Sequence, residues 1–199
     1  MWLEAKNLSC ERGGRMVFQN LSFGIAAGEF AELRGPNGSG KSSLLRLLAG
    51  LNVPGSGNLT FEGGKEEATI AEQAHYIGHL EANKPALTVQ ENLNFWSELF
   101  GAGINPKATS FFNLDGLADD QALLLSAGQK RRLALTRLVL AHRPIWLLDE
   151  PSVGLDSASL ILLQNQIKNH VGTGGIVIAA THTDLGIDAS RHINLGGAH

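Results

Sequence analysis

The chain has 199 residues, 43% of them hydrophobic, a net charge of −3 and a single cysteine. One domain of this size can bury roughly 70% of its unfolded surface, and the charge balance favours neither nucleic acid nor an acidic membrane surface as partner. Cys10 has no second cysteine to pair with and reads as a small buried or inert thiol, which suits a reducing compartment. The longest apolar runs, around Trp146 and Ile176, fall far short of the ~18 residues that cross a bilayer. Met1 to Lys6 carries an early acid and no long apolar core, so no export signal is expected. Neither an internal repeat nor a linker long enough to separate domains interrupts the chain.

Residues 1 to about 30 alternate apolar and polar positions in short runs, which predicts an antiparallel β layer. Residues 35 to 42 then read Gly35-Pro36-Asn37-Gly38-Ser39-Gly40-Lys41-Ser42, a complete G-x-x-x-x-G-K-[ST] loop between a strand-like run and a helix-like one. Small residues let backbone N–H groups curl around phosphate oxygens while the following helix directs its positive end at them. Lys41 would reach the β- and γ-phosphates of a nucleoside triphosphate, and Ser42 would offer a hydroxyl to Mg²⁺. Leu44 to Leu51 continue the helix, which should end near Gly50; Pro54 to Gly57 forms a turn and Leu59 to Phe61 a strand. His75 and His79 lie four apart in a strand and turn, where that spacing does not bring side chains together as a metal site would need.

From about Pro85 to Leu124 the pattern is helical, opened by a capping box, Thr88-Val89-Gln90-Glu91. Its stripe of Leu93, Phe95, Trp96, Leu99 and Phe100 is read as core rather than docking surface. Gly101 to Pro106 breaks the helix, and Phe111-Phe112 should return to the core. Leu125-Ser126-Ala127-Gly128-Gln129 marks another helix start, with Ser126 as N-cap and Gly128 clearing room for backbone amides to approach an anion. The following Lys130-Arg131-Arg132 is read as a solvated helix face. The buried-strand run Ile145-Trp146-Leu147-Leu148 ends in Asp149-Glu150. There Asp149 can hold Mg²⁺ directly or through water, and Glu150 can polarise an attacking water.

A P-loop, this five-residue helix start and a strand ending Asp149-Glu150, in that order, resemble the ATP-binding cassette family. Leu125 to Gln129 is similar to its signature loop, with Ala127 where the family has glycine. Ser152-Val153-Gly154-Leu155-Asp156 looks like the loop that crosses the dimer interface, and His182 matches the switch histidine. The resemblance implies an α/β P-loop ATPase core with a mixed or parallel sheet, an antiparallel β layer and a small α-helical subdomain. It implies one ATP-binding domain over residues 1–199, with the helical subdomain inserted at about 85–135 and gripping a membrane subunit. It also implies a head-to-tail homodimer in which ATP and Mg²⁺ lie between Gly35, Pro36, Asn37, Gly38, Ser39, Gly40, Lys41, Ser42 and Ser43 of one copy and Ser126, Gly128 and Gln129 of the other. Lys41, Glu150 and His182 carry catalysis in that scheme, Glu150 as general base and His182 on the γ-phosphate, while Ser42 and Asp149 hold the metal.

Within the family the chain resembles the ATP-binding subunits of cytochrome c maturation, or haem export, transporters. The likeness rests on Leu8 to Arg12, Leu21 to Phe23, Leu44 to Leu51, Tyr76 to His79, Leu125 to Arg132 and Gly174 to Ile178, and on the short chain. It implies a peripheral subunit on the cytoplasmic face of the bacterial inner membrane, with no span of its own and no nucleic acid partner, bound to the integral membrane subunits of that complex. Two positions depart from the broad pattern. Arg12 stands where an aromatic residue stacks on adenine, and a guanidinium plane can stack too. Leu80 stands where a glutamine helps position Mg²⁺ and water, so His79, Glu81 or a water takes over, or hydrolysis is slow. The rival readings are an exporter subunit for another substrate and a nucleotide-sensing regulator with weak turnover. A DNA-repair or translation ATPase is set aside for want of a coiled-coil insertion or second cassette.

Overall fold

The alternating amino-terminal segment folds as two long strands, β1 (Trp2–Arg12) and β2 (Arg15–Ala26), in the computed structural model, which describes residues 1–196. Gly13 and Gly14 join them at φ of 56° and 75°, the double positive φ that a two-residue hairpin turn demands. Leu3 and Ala5 face inward; Asn7, at φ 51°, marks an irregularity after which Leu8 and Cys10 face inward instead. A further antiparallel strand, β4 (Ser56–Glu62), pairs with the other edge of β1, so the three-stranded order is β2-β1-β4. It runs longer than the expected Leu59 to Phe61.

A second sheet is made of β3 (Phe30–Arg34), β5 (Ala74–Ile77), β6 (Ile145–Asp149), β7 (Ile176–Ala180) and β8 (Arg191–Asn194). It is wholly parallel, in the order β5-β6-β7-β3-β8. Every residue of β6 and β7 is buried, as unbroken apolar runs require when both faces of a sheet are covered. The mixed-or-parallel expectation resolves into separate layers: antiparallel pairing stays in the first sheet. Helix α1 (Lys41–Leu48) buries Leu44, Leu45, Leu47 and Leu48 in one core with Leu33, Ile145, Leu147 and Ile178. It ends as expected: Gly50 takes φ 70°, and the Leu51 N–H donates to Arg46 O, six residues closing on the last turn. Together with residues 167–196 these strands form one compact unit, Met1–Gly78 and Arg143–Pro151.

Residues His79–His142 and Ser152–Gln166 form the other unit. It holds α2 (Val89–Leu99), α3 (Ala127–Thr136) and the first part of α4 (Ser157–Gly172). Between α2 and α3 the expected helical stretch breaks into short 3-10 turns at Ala108–Phe112, Asp115–Leu117 and Ala122–Leu124. Gly103, Pro106 and Gly116 leave no run long enough to sustain an α-helix. Val89, Leu93, Leu114, Leu125 and Leu133 make the core, and Phe112 is buried. The aromatic stripe is not all core: Phe95 is 36% exposed and Leu99 61%, because a single short helix covers only one face of this cluster. The basic run is corrected too. Arg131 is buried, Arg132 Nη1 donates to Phe112 O (3.1 Å) and Asn113 O (3.0 Å), and Lys130 Nζ donates to Leu123 O (3.1 Å). The 3-10 turns leave carbonyls without helical donors, and these cations supply them.

Candidate active site

Strand β3 runs straight into the glycine loop. Glycine is needed at Gly35 (φ 150°), where a Cβ would collide with Leu195 O and lie 2.6 Å from Ser39 Oγ. It is needed again at Gly40 (φ 101°), the N-cap of α1, where a Cβ would lie 2.6 Å from Val17 Cγ1 and 3.1 Å from Phe18 Cδ1. Close packing by itself, then, dictates two of the loop's glycines. Lys41 is 8% exposed, and its Nζ donates to Gly35 O (2.8 Å) and Pro36 O (3.1 Å), which sets the ammonium inside the loop. Ser42 is exposed on the first turn of α1 and Ser43 is buried. Pro36, Asn37 and Gly38 form the outer part of the loop, closed by the Ser39 N–H on Pro36 O (3.2 Å).

The contact of Val17 and Phe18 with Gly40 sets the β1–β2 hairpin beside the loop. Arg12, exposed at its tip, is paired directly across the ladder with Arg15. Asp149 closes β6 in a buried position. Glu150 follows at φ 48°, a left-handed conformation costly for a residue with a side chain; its N–H donates to Ala180 O at 2.8 Å. One carboxylate oxygen accepts from the His182 N–H (3.3 Å) and the other lies 3.6 Å from His182 Nε2. The first unit thereby brings together Glu150 and His182, thirty-two residues apart in sequence, and carries the loop and Arg12 as well.

Ser126, Gly128 and Gln129 belong to the other unit. Ser126 caps α3 as expected, and the cap is reciprocal: the Gln129 N–H donates to Ser126 Oγ (3.3 Å) and the Ser126 N–H to Gln129 Oε1 (2.7 Å). Ala127 is not among the residues at positive φ, so its methyl is accommodated in place of glycine. Gly128 has a reason within the chain: a Cβ there would lie 2.7 Å from Gly154 O. Asp156 caps α4 through the Ser159 N–H (2.7 Å), and its hydrogen bonds with Ser159 hold its carboxyl below the usual range. Leu80 is 85% exposed. Burial pushes the Glu81 carboxyl up against the opposing pull of Arg131 and Lys130, and Asn83 Nδ2 donates to Lys130 O (2.9 Å); this segment is turned towards α3. Sequence reasoning missed the left-handed Glu150, which no pattern signals. It missed too the closed turn Thr181-His182-Thr183, for which the Thr-x-Thr spacing is a usable sign.

A P-loop at the end of the parallel strand β3, with a carboxylate pair at the end of β6 and a histidine meeting it from the end of the intervening β7, defines an ATPase of the cassette type. The ABC transporter family model matches residues 18–153, and the chain belongs to that family. Among its relatives, the cytochrome c biogenesis ATP-binding export protein CcmA of Rhodopseudomonas palustris (strain BisB5) is 48% identical over 200 residues, with 100% of both chains covered. The protein of the same name from Bradyrhizobium diazoefficiens is 47% identical over 199 residues, covering 99% of each. A solved dimeric structure of MJ0796, a bacterial ABC transporter cassette, matches the fold with a TM-score of 0.81 at 24% identity, over 97% of this chain and 94% of that one.

Proposed function

We propose that this chain is the ATP-hydrolysing subunit that energises a membrane exporter of cytochrome c biogenesis, with haem as the cargo class. The function named for its relatives supports the pathway, and the Glu150–His182 closure is the observation that carries the chemistry. Residues 1–199 form one ATP-binding domain, with the helical part at about 85–135 as its insert. The P-loop residues Gly35 to Ser43 bind the phosphates of ATP and Arg12 stacks on the base. Lys41 neutralises the β- and γ-phosphates. Ser42 and Asp149, a hydroxyl and a carboxylate, are the hard oxygen donors that suit Mg²⁺. Among the described residues no group of three or more His, Cys, Asp or Glu could hold a metal by itself, so phosphate and water would complete the shell. The ion, when bound, spreads the charge of the phosphates.

Glu150 accepts a proton from water as the water oxygen attacks the γ-phosphorus. The bond to the bridging oxygen breaks and ADP leaves. His182, held on the Glu150 carboxylate, contacts the γ-phosphate. Two copies pair head to tail, so that Ser126, Gly128 and Gln129 of one close on the γ-phosphate held by the other; the dimeric cassette of matching fold supports this. No helix among the described residues is long and apolar enough to cross a membrane, and the transport path is assigned to integral partner subunits, with this chain peripheral on the cytoplasmic side of the inner membrane.

Glu150→Gln tests the reading. The amide keeps shape and polarity but takes no proton, so ATP affinity should stay within about threefold while turnover falls by roughly 10²-fold or more. Size-exclusion runs with Mg-ATP should then show a trapped dimer. A variant that remains monomeric and hydrolyses at the wild-type rate overturns the assignment.

A further inference from the structure

Thr181, Thr183 and His182 form a closed turn at the end of β7, and its outer residues His182, Thr183 and Asp184 are exposed. What closes it is one hydroxyl. Thr181 Oγ1 donates to Thr183 O at 2.8 Å and accepts from the Thr183 N–H at 3.1 Å, so a single side chain satisfies both polar groups of the residue two positions on. The residue between them, His182, is left at the apex with its N–H on one Glu150 oxygen (3.3 Å) and Nε2 near the other (3.6 Å). Thr181 itself is 9% exposed and follows a fully buried strand.

Nearby backbone groups grip Glu150 from two sides. Ala180 O accepts the Glu150 N–H, which fixes its left-handed backbone, and the His182 N–H fixes its carboxylate. Thr181 lies between these two grips. On the far side of the turn, the alternation of β3 sends Ala31 and Leu33 into the core under α1 and Glu32 and Arg34 to the opposite face. There a cavity of about 490 Å³ is lined by Glu32, Arg34, Thr181, His182, Asp188 and His192. With open space on that side, the shape of the His182 turn depends on its own hydrogen bonds.

We infer that Thr181 is a positioning residue for hydrolysis: its hydroxyl holds the turn that aims the His182 N–H and imidazole at the Glu150 carboxylate. The inference rests on the reading of Glu150 as general base. A misplaced base slows proton transfer without loosening the nucleotide, since the phosphate loop lies on β3 and α1 and the bonds that close it are separate from those of this turn.

The test compares kcat and ATP affinity of the full chain for Thr181→Val, Thr181→Ser and Glu150→Gln, and for Thr181→Val in the Glu150→Gln background. Valine keeps the volume and loses both hydrogen bonds; serine keeps both bonds and loses the methyl. Thr181→Val should lower kcat at least tenfold with ATP affinity within twofold of wild type, Thr181→Ser should restore kcat to within twofold, and the double variant should be no slower than Glu150→Gln alone. Thr181→Ala replaces the valine variant if thermal melting shows that the latter does not fold. Wild-type kcat in the hydroxyl-free variant overturns the inference. So does a serine variant as slow as valine, which would assign the role to the methyl, or a parallel loss of ATP affinity, which would make the hydroxyl merely structural. Full activity of Glu150→Gln sinks the parent reading instead, and is distinguished from these by that arm alone.

Discussion

Lys41 is held by two carbonyls of the loop it serves, Gly35 O and Pro36 O. Its side chain closes the loop and, in the proposed function, supplies the cation aimed at the phosphates. Lys41→Ala removes both, and nucleotide affinity measured by titration calorimetry should fall at least tenfold, about 1.4 kcal/mol or more. An unchanged affinity would mean that the loop does not hold phosphate. The identity of this residue was legible from spacing alone, because G-x-x-x-x-G-K-[ST] constrains backbone and charge together. Glu150 was legible as a candidate base, but its geometry was not. A left-handed glutamate is disfavoured by local sterics, and the Ala180 carbonyl and the His182 N–H, from β7 and the turn beyond it, help to compensate.

Helix α3 shows how an element can be right in outline and misread in its surroundings. Its cap at Ser126 follows from local chemistry, a short side chain satisfying free N–H groups, and the sequence displays it. The surroundings of Lys130-Arg131-Arg132 do not follow. Charge predicts a solvated face, yet two of these side chains donate to carbonyls left free by 3-10 turns upstream. Gly128 is a second case on the same helix. A helix start can take alanine here by backbone angle, but Gly154 O lies where the added methyl would go. Gly128→Ala should cost about 1–3 kcal/mol of stability as the helix start and the Ser152–Asp156 loop are forced apart, read as a lower midpoint in urea unfolding. A midpoint equal to wild type would show that the loop yields freely.

At the scale of the whole molecule, Leu80 carries the sharpest expectation. Its side chain is exposed and offers no polar atom, and Glu81, the neighbour that could replace it, is partly buried, which pushes its carboxyl up against the opposing pull of Arg131 and Lys130 of α3. The isolated chain should therefore hydrolyse ATP slowly, and Leu80→Gln should raise its steady-state rate severalfold, measured with the membrane partner absent and present. If Leu80→Gln does nothing while Glu81→Ala or His79→Ala lowers turnover, a neighbour already fills the role. Should all three variants match wild type in both conditions, this loop takes no part in hydrolysis.

The sequence by itself determined the family, the P-loop, the Asp149-Glu150 strand end and the capped helices, because each is written in contiguous residues whose local chemistry admits few conformations. It also anticipated the antiparallel layer from alternation and buried strands from unbroken apolar runs, whereas the mixed or parallel core was implied by the family resemblance. Only the tertiary structure decided that Phe95 and Leu99 stay exposed, that the basic run caps carbonyls, and that a threonine hydroxyl at the end of β7 braces the histidine against Glu150. Those outcomes turn on which distant backbone groups come within hydrogen-bonding distance, and that is fixed by the packing of strands and turns far apart in the chain rather than by any local pattern.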